Sequence, residues 1–304
     1  MASPPFDDIR ALLADLPAAD LPVRDRVMRA AGGLGELAEM AGWIATWRGR
    51  PVLNRPIIAL FVGGHAGVDH AGLSRQLMET IAAGEADVAR AAQHLGAGLD
   101  VYELAIDRPV PDLTHGPTMS ERECAATMAF GMEALAKQPD LLVLGALGGE
   151  GRLAAAAAIA HALHGGAARD WIDPPHAGRV QAAVERARGE AGDDPLLWLR
   201  QLGGRETAAI AGAILAARTQ GAPVLIDGYP ALAATAVLKA LDPAAIDHCR
   251  LGHAPAQGGA RRLAAALGLK PWLDIGIGGE DGTGCAAALS LIRLACAIPA
   301  PVAP

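Results

Sequence analysis

Short apolar runs that end in glycine recur along the chain and constrain its fold more than any other feature. Four of them are rich in leucine, valine or isoleucine, the last being shorter and weaker: 56–64, 141–145, 223–228 and 273–276. A fifth predicted strand, 99–106, has more polar character and does not end in glycine. Continuous apolar strands of this kind are typical of parallel sheets buried on both faces. The pattern therefore predicts a mostly parallel sheet.

Alanine- and leucine-rich stretches of helical length separate these runs. Helices are predicted over eight of them: 73–95, 120–137, 152–163, 177–189, 206–218, 231–241, 256–267 and 284–297. Boundary residues support this interpretation, because Ser120 and Glu123 form a capping box and Gly221 follows the end of a predicted helix. Strands that alternate with helices indicate an α/β fold, here a Rossmann-like sheet with helices on both faces.

The segment before residue 51 has no strand pattern and is predicted to be helical over 6–16 and 24–47. From 56 to 297 the α/β pattern continues without a linker. We therefore predict a helical annex (1–50) and an α/β domain (51–304). Ile9, Leu12, Leu13 and Leu16 form one apolar face of the first helix, which indicates packing on the main domain or on a partner subunit.

Composition argues against several classes of function. The net charge is −7 and only 3% of residues are aromatic, which disfavours nucleic-acid binding. No apolar run approaches the ~20 residues of a membrane helix. The first residues show no secretion signal, so a cytoplasmic protein is expected. The four cysteines form no C-x-x-C pair and no histidine pair has metalloprotease spacing, so neither a metal nor a cofactor is indicated.

Glycines cluster directly after the predicted strands, at 63–64, 145–151, 227–228 and 276–284. In open α/β sheets the ligand crevice lies at the carboxyl ends of the strands. Glycine lets the backbone approach a ligand there, and the following helix N-termini offer N–H groups to an anion. A small-molecule site is therefore predicted, although a glycine after a strand also serves as a simple connector.

Two neighbouring acids, Glu280 and Asp281, lie in the glycine-rich loop that precedes the last predicted helix. A carboxylate at the crevice can act as a general base. Alternatively, Asp281 or Thr283 can cap the helix and complement its dipole. The residues alone leave both interpretations open.

A series of motifs runs along the chain: Gly32-Gly-Leu-Gly-Glu-Leu37, Gly64-His65, Gly72-Leu-Ser74, His115-Gly-Pro-Thr-Met-Ser120, Leu199-Arg-Gln-Leu-Gly-Gly-Arg-Glu206, Val224-Leu-Ile-Asp-Gly-Tyr229 and the loop 274–284. In these motifs and in their order, the chain resembles the nicotinate-nucleotide:dimethylbenzimidazole phosphoribosyltransferases over essentially its whole length. That family transfers phosphoribose from nicotinate mononucleotide to a benzimidazole nitrogen during cobalamin nucleotide-loop assembly. The resemblance implies a nucleotide and an aromatic base as ligands, a homodimer, and no cofactor.

The resemblance also implies the residues of the site. The family's catalytic glutamate aligns with Asp281, and Glu280, displaced by one position, is the rival. The carboxylate would take the proton of the incoming base, while backbone amides hold the phosphate. The implied substrate-binding residues are His65, Ser74, Gly148, Gly149, Arg152, Gly203, Gly204, Asp227, Gly282, Thr283 and Gly284.

Several polar positions depart from the family pattern. A family glutamate is replaced by Ala146, a pair of hydroxyl residues by Arg152 and Leu153, and the aspartate of an Asp-His element by Gly64. Arg152 either replaces the lost phosphate donors or lies on the surface. The joint loss leaves an alternative function, a catalytically diverged homologue that binds a nucleotide or base, or that partners a catalytic homologue.

Overall fold

The computed structural model describes residues 4–69 and 71–298. Its strands are β1 (Pro56–Val62), β2 (Gly98–Glu103), β3 (Leu141–Leu147), β4 (Val224–Ile226), β5 (Cys249–His253) and β6 (Pro271–Leu273). They form one sheet in the order β2-β1-β3-β4-β5-β6, and each neighbouring pair is parallel. The predicted α/β fold is confirmed.

Helices flank this sheet. They are α1 (Asp7–Leu13), α2 (Leu21–Ala30), α3 (Glu36–Arg48), α4 (Ala71–Ala82), α5 (Asp87–Leu95), α6 (Glu121–Gly131), α7 (Gly151–His164), α8 (Pro174–Ala191), α9 (Pro195–Leu202), α10 (Arg205–Thr219), α11 (Gly228–Leu241), α12 (Gly258–Leu267) and α13 (Thr283–Ala297). Within the described residues, none is both long and apolar enough to cross a bilayer.

Two long predicted helices are each two helices in the structure. The stretch 24–47 is divided between α2 and α3, because Gly33 and Gly35 take positive φ angles that a helix does not allow. The stretch 73–95 is divided in the same way by Gly84, between α4 and α5. Helix α9 is not predicted from the sequence.

Strand β5 is also not predicted, because its sequence Cys-Arg-Leu-Gly-His lacks a continuous apolar run. Its place between β4 and β6 nevertheless buries all of its residues except Arg250. The strand ends at His253, on the edge of the sheet that carries the carboxyl ends of all six strands, which we call the carboxyl edge.

Alternate residues of each strand face opposite sides of the sheet. On one side of β1, Ile57, Ala59 and Phe61 join a core cluster with α6, α7, α10 and α11. On the other side, Ile58, Leu60 and Val62 join a cluster with α2, α3, α5 and α13. Both faces are therefore covered, as the apolar strands require.

The N-terminal helices pack on the rest of the chain. Ile9 of α1 is buried in the first core cluster, whereas Leu12 of the same helix is exposed. Helix α3 packs against α13, and Trp43 Nε1 donates a hydrogen bond to the backbone oxygen of His248 at 3.1 Å. The predicted division into a helical annex (1–50) and an α/β domain (51–304) stays a prediction.

Helices α6 and α10 approach so closely that their backbones touch. A Cβ atom on Gly212 would lie 1.8 Å from the backbone oxygen of Met128. We therefore expect Gly212→Ala to destabilise the fold by about 1–3 kcal/mol, because the helices must separate. Gly178→Ala in α8 is the matched control, since nothing lies within 4 Å of its Cβ position. Denaturant unfolding checks both, and equal effects of the two substitutions would contradict this packing.

Candidate active site

The carboxyl edge brings polar side chains from distant parts of the chain together. The turn after β3 leads into α7 at Gly151, and the turn after β4 leads into α11 at Gly228. The loop 274–282 follows β6 and returns to the same place before α13 begins at Thr283. These turns carry the charged groups described below.

Glu280 lies at the centre of the site and is 4% exposed. Its Oε2 accepts a hydrogen bond from Arg152 Nη1 at 3.0 Å, and its Oε1 accepts one from the Tyr229 N–H at 2.9 Å. Burial raises the pKa of Glu280, while the Arg152 guanidinium and the Tyr229 N–H oppose that rise. A carboxylate with raised proton affinity in a crevice has the properties of a general base.

Asp281 is placed differently from its neighbour. Its side chain is half-buried, and its Oδ1 accepts a hydrogen bond from the N–H of Thr283, the first residue of α13, at 3.0 Å. Asp281, rather than Thr283, therefore satisfies an N–H group at the start of α13, from the position before the N-cap residue Gly282. The two acids have different partners, and of the two only Glu280 is hydrogen-bonded to Arg152 of α7.

Arg152 is not a surface arginine. It is the second residue of α7, and its side chain is 15% exposed where it pairs with Glu280. Its Nε is buried and has no hydrogen-bond partner among the described residues. The guanidinium thus retains donor capacity beyond the Glu280 contact.

A buried pair of Asp227 and His253 holds the loop beside Glu280. One oxygen of Asp227 accepts from His253 Nε2 and the other from the Gly282 N–H, while His253 Nδ1 faces the Ala254 oxygen at 3.1 Å. Burial lowers the pKa of His253, but the hydrogen bond and charge of Asp227 outweigh it, and the pKa is raised. Both ring nitrogens face acceptors, an arrangement that favours the imidazolium form of His253.

A second buried pair lies at the end of β1. His65 Nε2 and Glu206 Oε1 are 3.1 Å apart, and both side chains are buried. Burial lowers the pKa of His65, yet the Glu206 carboxylate raises it overall. The Asp69 carboxylate accepts from the backbone N–H groups of His65 and Gly151, each at 3.0 Å, and so ties this pair to the start of α7.

Three predicted site glycines at the carboxyl edge lie where neighbouring side chains occupy the space that a Cβ atom would take. A Cβ on Gly149 would lie 2.3 Å from Asp69 Oδ1, and one on Gly204 would lie 2.0 Å from Glu206 Oε1. A Cβ on Gly284 would lie 2.1 Å from His253 Cδ2.

Three further predicted residues have similar surroundings. Ser74 is buried, and its Oγ lies 3.8 Å from the Cβ position of Gly148. A Cβ on Gly203 would lie 2.7 Å from the backbone oxygen of Leu199. Close packing explains the glycine at position 203, whereas a φ of 139° explains the one at position 148. The contact of these residues with substrate stays a prediction.

Three charged residues of the site are not predicted from the sequence: Asp69, Glu206 and His253. Glu206 stands in the first turn of α10, where the helix dipole favours an acid. A prediction of β5 would also have identified His253 as a site residue, because a histidine at the carboxyl end of a strand lies at the crevice. Asp69 carries no comparable signal.

A cavity of about 100 Å³ adjoins this group of residues. It is lined by Glu150, Leu153, Trp171, Tyr229, Gln257 and Gly258, among others. Gln257 Oε1 is buried there without a partner among the described residues, and α12 begins at Gly258. A space equivalent to about three waters admits a phosphate-sized group. Residues 4–69 and 71–298 contain no group of three His, Cys, Asp or Glu side chains that could hold a metal ion.

Comparisons with known proteins agree with this architecture. A family model described as "Phosphoribosyltransferase" matches residues 18–303, so the chain is of the phosphoribosyltransferase class. A nicotinate-nucleotide–dimethylbenzimidazole phosphoribosyltransferase from Rhizobium leguminosarum bv. trifolii is 46% identical over 317 residues, covering 96% of this chain and 93% of the relative. A protein of the same name from Rhizobium meliloti is 45% identical, with the same coverage.

A solved structure supports the same grouping. The enzyme of that name from Thermus thermophilus has a TM-score of 0.78 and 28% identity, covering 97% of this chain and 95% of its own. The chain belongs to the nicotinate-nucleotide–dimethylbenzimidazole phosphoribosyltransferase family.

Proposed function

We propose that the protein transfers phosphoribose from nicotinate mononucleotide to a benzimidazole-type base, the reaction of cobalamin nucleotide-loop assembly. Family membership supports the reaction class, and the names of the relatives support the substrates. The observation that carries the proposal in this chain is the buried Glu280 carboxylate, whose pKa is raised at the carboxyl edge. A transfer of this kind needs one group that accepts a proton.

The chemistry explains why a single carboxylate suffices. One nitrogen of the neutral base attacks C1′ of the ribose, and the C1′–N bond to nicotinate breaks with its electron pair going to the pyridine nitrogen. The leaving group is already a pyridinium, so it requires no acid. The new benzimidazolium then loses its N–H proton, and Glu280 accepts it. Asp281, which the resemblance selects, is instead assigned to the helix cap on the basis of its contact with Thr283.

Several donors are available for the nucleotide phosphate. The first turn of α12 lies beside the cavity, and N–H groups in a first helical turn have no acceptor within the helix. Arg152 adds a guanidinium that can bind phosphate with two hydrogen bonds. We therefore assign Arg152 to the phosphate and Gly258 to the same anion site.

A direct assay tests the proposal. The protein is incubated with nicotinate mononucleotide and a panel of benzimidazoles, and nicotinate release and nucleotide product are followed by mass. Product is expected with at least one base. No product at high protein concentration, under conditions where the Rhizobium leguminosarum relative is active, would contradict the proposal. Ligand binding without turnover would instead support the alternative of a diverged binding or partner subunit.

A cytoplasmic homodimer is part of the proposal. Leu12 of α1 and Leu21 of α2 are large apolar side chains that are 37% and 52% exposed, and the N-terminal helices are thereby open to a second copy. Light scattering is expected to give the mass of two chains at micromolar protein. A mass of one chain would reject the dimer.

A further inference from the structure

We propose that Arg152 exchanges between two anions, Glu280 in the free enzyme and the substrate phosphate when the nucleotide is bound, so that nucleotide binding frees Glu280 to accept a proton. This inference rests on the proposed function and adds to it an order of events. It assigns Arg152 a positioning role toward Glu280 besides its contact with substrate.

The contact between Arg152 and Glu280 is the first of the two arrangements. Arg152 Nη1 donates to Glu280 Oε2 at 3.0 Å, and the two side chains are 15% and 2% exposed. A buried carboxylate requires a compensating charge, and Arg152 supplies it. The pair therefore neutralises Glu280 within the site.

The second anion has a place in the cavity that borders the same turn, although Arg152 and Glu280 do not themselves line that cavity. Glu150 and Leu153, on either side of Arg152 in the chain, line the cavity of about 100 Å³. Tyr229 lines it as well, and its N–H is the other donor to Glu280. The Glu150 carboxylate is itself 3.1 Å from His176 Nε2, on the exposed side. One short turn thus carries the guanidinium and borders the cavity.

Arg152 has the means to bind the second anion. Its Nε is buried and has no partner in the described part of the chain. A phosphate can accept two parallel N–H hydrogen bonds from a guanidinium. Glu280 accepts only one hydrogen bond from Arg152. The nucleotide phosphate therefore competes with Glu280 for one cation.

The exchange changes the protonation of Glu280. Burial raises the pKa of Glu280, and the Arg152 guanidinium is the main group that opposes that rise. The Tyr229 N–H stays in place, and the Asp227 carboxylate nearby raises the pKa further. The buried pair of His65 and Glu206 also faces Arg152, and His253 faces Glu280. Loss of the guanidinium to phosphate makes Glu280 a stronger base.

Phosphate affinity tests the competition without requiring turnover. Inorganic phosphate is titrated into the protein by calorimetry at constant pH. Glu280→Gln is expected to bind phosphate about tenfold more tightly than the wild type, and Arg152→Gln about tenfold more weakly, within the usual range of coupling between two ligands. Arg24→Gln is the matched control, because Arg24 forms a half-exposed pair with Glu39 between α2 and α3; it is expected to leave phosphate affinity unchanged.

The pH dependence of transfer provides a second readout. kcat reports groups of the nucleotide-bound enzyme, and kcat/KM reports those of the free enzyme. In the wild type the acidic limb is expected at higher pH in the kcat profile than in the kcat/KM profile. In Arg152→Gln the two limbs should coincide, and Arg152→Lys should restore part of the separation.

The outcomes separate this inference from the proposed function. Unchanged or weaker phosphate binding in Glu280→Gln would overturn the exchange, even if transfer is observed. If Glu280→Gln does not fold, equal phosphate affinities of Arg152→Gln, Arg152→Lys and the wild type would overturn it instead. Tighter phosphate binding in Glu280→Gln with no transfer in the wild type would support the exchange and reject the proposed function.

Discussion

Replacing Asp227 by asparagine is expected to lower the free energy of unfolding by about 3–5 kcal/mol, the usual cost of breaking a buried ion pair. Asp227 is fully buried and accepts hydrogen bonds from both His253 and the Gly282 N–H. The substitution leaves a buried imidazolium without its counter-charge. Denaturant unfolding at pH 6 measures the loss.

The same variant has a defined pH dependence. The folded-state pKa of His253 is raised above the ordinary value of about 6.5. Stabilisation by the pair is therefore complete below that ordinary value and is lost as pH rises through the raised one. The difference between wild type and Asp227→Asn should be largest near pH 6 and should shrink toward alkaline pH.

Asp274→Asn is the matched control for charge removal. Asp274 pairs with Arg261 at 3.1 Å, but both side chains are about half exposed. An exposed pair of this kind contributes at most about 1 kcal/mol. A loss in Asp274→Asn as large as that in Asp227→Asn, or a difference for Asp227→Asn that grows at high pH, would show that the buried pair has no special role.

Glu280→Gln is expected to lower kcat for phosphoribosyl transfer by about 10²–10⁴-fold, the range that a general base contributes. Asparagine in place of Asp281 should reduce kcat by less than about tenfold, because it can still accept the Thr283 N–H as a cap. Both variants are assayed with the same nucleotide and base, at saturating concentrations.

The pair of variants distinguishes the two neighbouring acids. Circular dichroism and the melting temperature establish that each variant is folded before kinetics are compared. A larger loss of kcat in Asp281→Asn than in Glu280→Gln would return the catalytic role to the residue that the family resemblance selects. Equal losses would mean that neither acid has a unique role.

Much of the architecture follows from the sequence because the strands are fully buried. A run such as β3, with every residue buried, must be apolar throughout, and its pattern is visible in one chain. Strand β5 escapes this rule, since its position between two other strands buries Cys249, Leu251, Gly252 and His253 regardless of polarity. For β5, the position in the sheet determines that the segment is a strand, and the local sequence pattern does not.

The site was predictable as a place but only partly as a set of contacts. Glycines after strands indicate the carboxyl edge, and two adjacent acids indicate a carboxylate in the loop. Which acid turns inward depends on a partner 128 residues away, Arg152. The pair of His65 and Glu206 joins residues 141 apart in the chain. Such pairings are set by strand order, which a single sequence does not encode in any local motif.

The packing of α3 against α13 has a consequence for biosynthesis. The apolar face of α3, with Trp43 and Ile44, is complete when Arg48 has been added, but α13 begins about 235 residues later. At about 5–20 residues per second, the ribosome needs roughly 12–47 s to supply that covering helix. Until then the part of this face that α13 covers stays exposed on the nascent chain, and we expect it to be a binding surface for chaperones that hold emerging chains.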